Sequence, residues 1–361
     1  MRARTCACGD AATASNRSAE GSEDAVGDVG RARQGEVRGQ LLDMLTGFMR
    51  TQALSTVAQL GVADVVSDAL MDVADIARRV GAHAPSLERL LRFLASEGVF
   101  AEVEPGSFIE TPLSHGLRSD APMTARWLAQ VFGAEHYRAW SAALHTFVTG
   151  EPAFDQAYGR SFFDYLSETP DASRSFDRAM ASGAESRTAA LLSYDWSRVR
   201  RVADIGGGNG AALSILLSSH PHLHGVLFDQ PNVVDTADAS LRAAGVRDRC
   251  DIVAGDFFAD ELPSADVYLL SQILHDWADQ RAGAILHNCR RSLTVSDRLI
   301  LVEEILPDGA EPHFARLLDL HMLVLLGGKE RTETQWRTLL ARARFQLREI
   351  TPHGLIDAQP C

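Results

Sequence analysis

No stretch of the sequence reaches 18 uncharged apolar residues. The nearest, around Leu317 to Leu326, is shorter and holds Asp319 and His321, so no membrane span is expected. Cysteine is scarce and odd in number: Cys6, Cys8, Cys250, Cys289 and Cys361 form no C-x-x-C pair and no zinc spacing. That pattern excludes a disulfide framework and a structural zinc site, and reads as reduced thiols in a cytoplasmic protein. Positive charge is in deficit, with 35 Lys and Arg against 48 Asp and Glu, a net of -13. Surfaces that grip phosphate need clustered cations, so neither nucleic acid nor an anionic membrane is an expected partner, whereas a small molecule is. The segment 1–36 lacks the apolar core of a secretory signal and is read as a disordered leader.

What is present falls into regions of different grammar. Leu41, Leu42, Leu45, Phe48 and Met49 recur at helical spacing, and a short helix is expected after Gly61. Asp72 is placed to cap a helix over 73–80 that Gly81 ends, and Ser86 to Glu97 carries Leu87, Leu90, Leu91 and Leu94 on one face. Two extended pieces follow around Pro105-Gly106. Helices plus a small hairpin make a winged-helix-like module over 37–118. The six Arg, no Lys and ten acidic residues of 37–117 argue against DNA binding, and the leucine-rich helices point to homodimerisation. Residues 119–195 read as a helical linker and substrate-pocket region. From 196 to 361, apolar strands alternate with helices, the pattern of an α/β, Rossmann-like doubly wound, mostly parallel sheet.

The first of those strands ends in Asp204-Ile205-Gly206-Gly207-Gly208-Asn209-Gly210-Ala211, where glycines let a ligand approach the main chain. Gly206, Gly208 and Ala211 also satisfy a dinucleotide fingerprint, so an NAD-type oxidoreductase is a competing reading. Asp204 favours S-adenosylmethionine, which carries an ammonium and a sulfonium where NAD carries an anionic pyrophosphate. Asp229, at the end of the second strand, can accept ribose hydroxyls of either cofactor. Asp256 can accept from an adenine amino group while Phe257 packs on the ring.

Taken with Leu274-His275-Asp276-Trp277, Val302 to Pro307, Gly327 to Thr332 and Phe176 to Met180, the glycine loop resembles that of the small-molecule O-methyltransferases. That family includes plant caffeate-type enzymes and bacterial polyketide and antibiotic tailoring enzymes. The resemblance covers about Leu41 to Ala358. It implies an N-terminal all-helical winged-helix-like dimerisation domain, a class I methyltransferase domain, and S-adenosylmethionine as cofactor with S-adenosylhomocysteine as product. It gives His275 the role of general base, flanked by Glu303 and Glu330. Trp277 falls near adenine, and Met180 and Met322 near the reacting centre. Asp276 lies beside the base without being its usual orienting partner. Ser271 and Ala184 depart from the Lys and Ser that many relatives have at the cofactor. Some relatives decarboxylate or hydroxylate instead, which is an alternative outcome.

The chemistry suits these residues. A phenol with a pKa near 10 is mostly protonated at neutral pH, and a histidine with an ordinary pKa of about 6.5 can accept its proton. Alignment supplies much of the remaining acceleration, and no metal is expected. Candidates for the acceptor pocket are Trp140, Phe147, Phe154, Phe162, Phe163, Met180, His321 and Met322.

Overall fold

The computed structural model describes residues 34–182 and 184–361. The expected leader lies outside the described residues except for 34–36, which begin a helix over 34–45. The described chain divides into two compact units between Ala53 and Leu54. In the first, the helix 34–45 and the start of Gly47–Leu60 leave Leu41, Leu42, Met44, Leu45, Phe48 and Met49 exposed. Thr46 separates the two helices, its hydroxyl donating to the Leu42 carbonyl at 2.8 Å.

The second unit begins with elements close to those expected. Helix Val73–Val80 starts because Asp72 accepts the Ala74 N–H at 2.8 Å, and stops at Gly81, whose φ of 70° a side chain would disfavour. Helix Ala84–Ser96 buries Leu87, Leu91 and Leu94. Strands β1 (Met71–Asp72), β2 (Phe100–Glu104) and β3 (Ser107–Glu110) form an antiparallel sheet in the order β1-β3-β2. This corrects the all-helical description of the N-terminal region. β1 has only two residues, too few for an alternating pattern to be read.

The main sheet contains β4 (Arg201–Ile205), β5 (His224–Asp229), β6 (Cys250–Ala254), β7 (Val267–Ser271), β8 (Arg298–Val302), β9 (Phe345–Ile350) and β10 (Leu355–Pro360), in the order β6-β5-β4-β7-β8-β10-β9. β4 to β8 are parallel, and β10 runs antiparallel between β8 and β9. Both faces are covered, so the parallel strands read as continuous apolar runs such as Val267 to Leu270, all buried. One core layer packs Ile285, Leu286 and Trp336 on the sheet, the other Leu213, Leu216 and Leu241. The strand order reverses beside β4, and ligands of such sheets bind at the carboxyl ends of the strands at that point. Asp204, Asp229, Asp256, Ser271 and Glu303 all lie at or just beyond those ends. Among the described residues no helix is long and apolar enough to cross a membrane. Cys250, Cys289 and Cys361 are free thiols; Cys6 and Cys8 lie outside the described residues.

Candidate active site

After β4 the chain turns through the glycine loop into helix Ala211–Ser219. At Gly206 the φ of 78° is left-handed, and a Cβ there would lie 2.7 Å from Cδ1 of Ile273. A Cβ on Gly207 would lie 2.7 Å from Oδ2 of Asp204. The loop is thus packed against the segment that leads to His275 and over the Asp204 carboxylate. Gly208 donates its N–H to Oδ2 of Asp229 at 2.8 Å, and Gln230 donates to Oδ1 at 2.7 Å. Gly210 caps the helix at φ 80°. Asp229 therefore braces the loop in addition to facing the ligand edge.

The electrostatics of this edge favour a cationic ligand. Asp204 is 1% exposed, and neither of its carboxylate oxygens has a hydrogen-bond partner among the described residues. Burial, and then Asp229, push its pKa up to about 7, with Arg187 opposing. Burial and Asp229 raise Asp177 as well, and burial raises Asp229 against its two N–H bonds. Three carboxylates raised in this way are relieved by positive charge, which a sulfonium and an ammonium bring. Arg187 donates to the Met180 carbonyl and, at 3.2 Å, to Oε1 of Gln272, which sits at φ 55°. Asp177, Arg187 and Gln272 escape a reading by sequence because their partners are remote in the chain.

The remaining cofactor candidates are arranged less uniformly. Asp256 is exposed and accepts the Phe258 N–H at 2.8 Å, while Phe257 packs edge-on to Phe258 at 4.9 Å. Trp277 meets Phe258 edge-on at 4.9 Å and stacks on Phe163 at 5.7 Å, with the Arg281 guanidinium 4.5 Å above it. The Ser271 hydroxyl is buried without a partner among the described residues. The side chain of Ala184 lies outside the described residues.

His275 occupies a short 3-10 turn after β7 and is 8% exposed. Its Nδ1 donates to Oε1 of Glu330 at 2.8 Å and lies 3.8 Å from Oε2 of Glu303. Glu303 uses its other oxygen to accept the Leu274 N–H at 2.9 Å. Nε2 lies 3.3 Å from Oδ1 of Asp276, so Asp276 is a direct partner of the ring. Burial alone would lower the imidazole pKa, but Asp276, Glu303 and Glu330 outweigh it and push the value up to about 10. The carboxylates thus stabilise the imidazolium and raise the ring's proton affinity above that of an ordinary histidine titrating near 6.5. Burial raises Glu303 to about 7 against the opposing pull of His275.

The turn is clamped from behind by Arg331, which the sequence reading leaves without a role. Fully buried, it donates to the Leu274 carbonyl at 2.9 Å and the Trp277 carbonyl at 2.7 Å, and it pairs with Asp279 at 3.0 Å. Lys329 donates its N–H to the His275 carbonyl at 2.7 Å. Such clamps fix the orientation of a catalytic ring before substrate arrives.

Of the acceptor-pocket candidates, Phe154, Phe162 and Phe163 form one aromatic group with Tyr158, Tyr165 and Phe176. Trp140 donates its indole N–H to Nδ1 of His321 at 2.8 Å. Met322 is buried and Met180 half-buried. Phe147 does not join them: it is 57% exposed on helix Ala143–Thr149, alongside exposed Leu144 and Val148. Among the described residues no group of three or more His, Cys, Asp or Glu is arranged to hold a metal ion.

Comparison with known proteins fits this geometry. The O-methyltransferase domain family matches residues 140–346, and the O-methyltransferase dimerisation domain family matches 42–134. The chain is 46% identical over 325 residues to the phenazine O-methyltransferase PhzM of Lysobacter antibioticus, covering 89% of this chain and 95% of that protein. It is 38% identical over 315 residues to the 3-amino-4-hydroxybenzoate 4-O-methyltransferase of Streptomyces cremeus, covering 86% of each. The O-methyltransferase NcsB1 from neocarzinostatin biosynthesis, solved with S-adenosylmethionine and 2-hydroxy-5-methyl naphthoic acid, matches with a TM-score of 0.76. That match is at 33% identity and covers 86% of this chain and 96% of that one. A glycine loop over an unpaired carboxylate, a histidine among carboxylates at the next strand end and these matches converge: the chain belongs to the O-methyltransferase family and is an S-adenosylmethionine-dependent enzyme.

Proposed function

We propose that the enzyme methylates a phenolic hydroxyl of a small, flat natural product, with His275 as the base. The carrying observation is the buried His275 ring, fixed by Glu330 and ringed by Asp276 and Glu303, beside a loop suited to a cationic cofactor. S-adenosylmethionine supplies an electrophilic methyl group when bound. Asp204, Asp229 and the glycine loop are the residues that would hold it, with Asp256, Phe257 and Trp277 toward the adenine. In its neutral form His275 would take the hydroxyl proton at Nε2, leaving the oxygen nucleophilic toward that methyl group, and Glu330 would steady the imidazolium. The aromatic group around Phe162 excludes water and offers flat surfaces to a fused ring. The relatives named for phenazine and hydroxybenzoate substrates support this class of acceptor.

Incubation with methyl-labelled S-adenosylmethionine and a panel of hydroxyphenazines, hydroxynaphthoates and aminohydroxybenzoates should yield a product heavier by one methyl group, read by mass spectrometry. Cofactor binding with decarboxylated or hydroxylated products alone would overturn the reading.

The exposed face of Leu42, Met44, Leu45, Phe48 and Met49, within the match to the dimerisation family, supports a homodimer built through the N-terminal, winged-helix-like region. Light scattering should return twice the 39.2 kDa chain mass; a monomer at micromolar concentration would contradict it.

A further inference from the structure

An indole N–H can only donate, so the bond from Trp140 to Nδ1 of His321 fixes that nitrogen as an acceptor. The His321 proton then sits on Nε2, which lies 3.1 Å from Nδ1 of His136 and donates to it. The His136 proton is in turn placed on Nε2. That atom is buried and has no hydrogen-bond partner among the described residues, and the whole residue is only 4% exposed. Burial lowers the pKa of both rings, His321 to about 4 and His136 well below its ordinary value, so both are neutral.

The surroundings of this orphan donor are aromatic. Phe132 stacks on His321 at 5.0 Å and meets His136 edge-on at 5.1 Å, and Phe162 lies 6.0 Å from His136. Phe162 contacts Phe163, which stacks on Trp277, two residues from His275. The unpaired N–H therefore belongs to an aromatic group continuous with the segment that carries the base. A buried donor left without a partner is costly, and a ligand that supplies an acceptor removes the cost.

We propose that His136 is a specificity-determining residue whose Nε2–H donates to a neutral hydrogen-bond acceptor, a ring nitrogen or carbonyl oxygen, on the aromatic methyl acceptor. This rests on the reading of the aromatic group as the acceptor pocket. A neutral acceptor fits better than a carboxylate because the two neutral imidazoles offer no positive charge to an anion buried among phenyl rings. Trp140 and His321 are positioning residues that set the tautomer.

The test compares 2-hydroxyphenazine, 2-hydroxyanthraquinone and 2-hydroxyanthracene, which share a tricyclic outline and differ in the acceptor atom. Wild-type kcat/KM should favour the first two over the third by about ten-fold. H136F should bring that ratio close to one, and H136Q, which keeps an N–H, should restore much of it. Because each ratio is taken within one variant, partial unfolding cancels. Nitrogen-15 spectra of the wild type should show His136 protonated at Nε2, with that resonance moving on saturation by 2-hydroxyphenazine and not by 2-hydroxyanthracene. A His136 protonated at Nδ1, or a ratio unchanged in H136F, overturns the proposal. An Nε2 response without methylation of any probe keeps the hydrogen bond and refutes the phenol-methylating reading instead. Preference for 2-hydroxyanthracene-9-carboxylate over the neutral probes refutes the assignment to a neutral acceptor.

Discussion

Replacing His275 with alanine is expected to lower turnover about 10²- to 10⁴-fold while leaving S-adenosylmethionine affinity nearly unchanged, the range for loss of a positioned base. Part of that activity should return at high pH, where a phenolic acceptor ionises without help. The pH profile of the wild type follows from the carboxylates around the ring. Asp276, Glu303 and Glu330 favour the protonated imidazole, its pKa pushed up to about 10, and the neutral fraction is what acts as base. The acid limb of kcat/KM in the free enzyme should therefore lie above the ordinary histidine range, with activity gained as pH rises through the raised pKa. Asp276→Asn removes the carboxylate beside Nε2 and should move that limb downward. Glu330→Gln should cost less than losing the ring, since it leaves the base in place. Wild-type turnover in His275→Ala at pH 7 would refute the base assignment, and an acid limb at 6.5 would refute the role of the carboxylates.

Asp229→Ala should weaken S-adenosylmethionine binding by about 1.5 to 3 kcal/mol, the range for hydrogen bonds to a charged group, roughly a ten- to hundred-fold rise in Kd. Its carboxylate has two tasks. Beyond any bond to the ribose, it accepts the N–H groups of Gly208 and Gln230, so alanine also frees the glycine loop. Asp229→Asn keeps an acceptor oxygen and should retain part of the affinity. Calorimetry that found the affinity of folded Asp229→Ala unchanged would remove Asp229 from the site.

The parts that were legible in the sequence are those set by local rules. Asp72 and Gly81 bound a helix because a cap and a left-handed stop act within a few residues, and the apolar run Val267 to Leu270 announces a strand covered on both faces. Carboxylates at successive strand ends follow from that same alternation. Helix Glu333–Arg342 is set by a local rule too, the capping box of Thr332 and Gln335. The antiparallel pair β9 and β10 departs from the parallel alternation that ends at β8; Phe345 and Leu347 alternate with exposed residues in β9, a short local signal. Distance in sequence hid the rest. Trp140, His136 and His321 meet across more than 180 residues, and Arg331 fixes the His275 turn through backbone carbonyls that carry no residue signature. The raised pKa of His275 was equally illegible, because it depends on three carboxylates from separate segments arriving at one ring.

The placement of β10 bears on what the last residues protect. β9 is synthesised before β10, yet within the sheet its neighbour is β10, which also closes the outer edge of β8. Until β10 is in place, the outer edge of β8 is unpaired and β9 has no strand to lie against. Open strand edges of this kind recruit other chains. A chain lacking Leu355 to Pro360 would keep both edges open, and is expected to aggregate rather than form a smaller working enzyme.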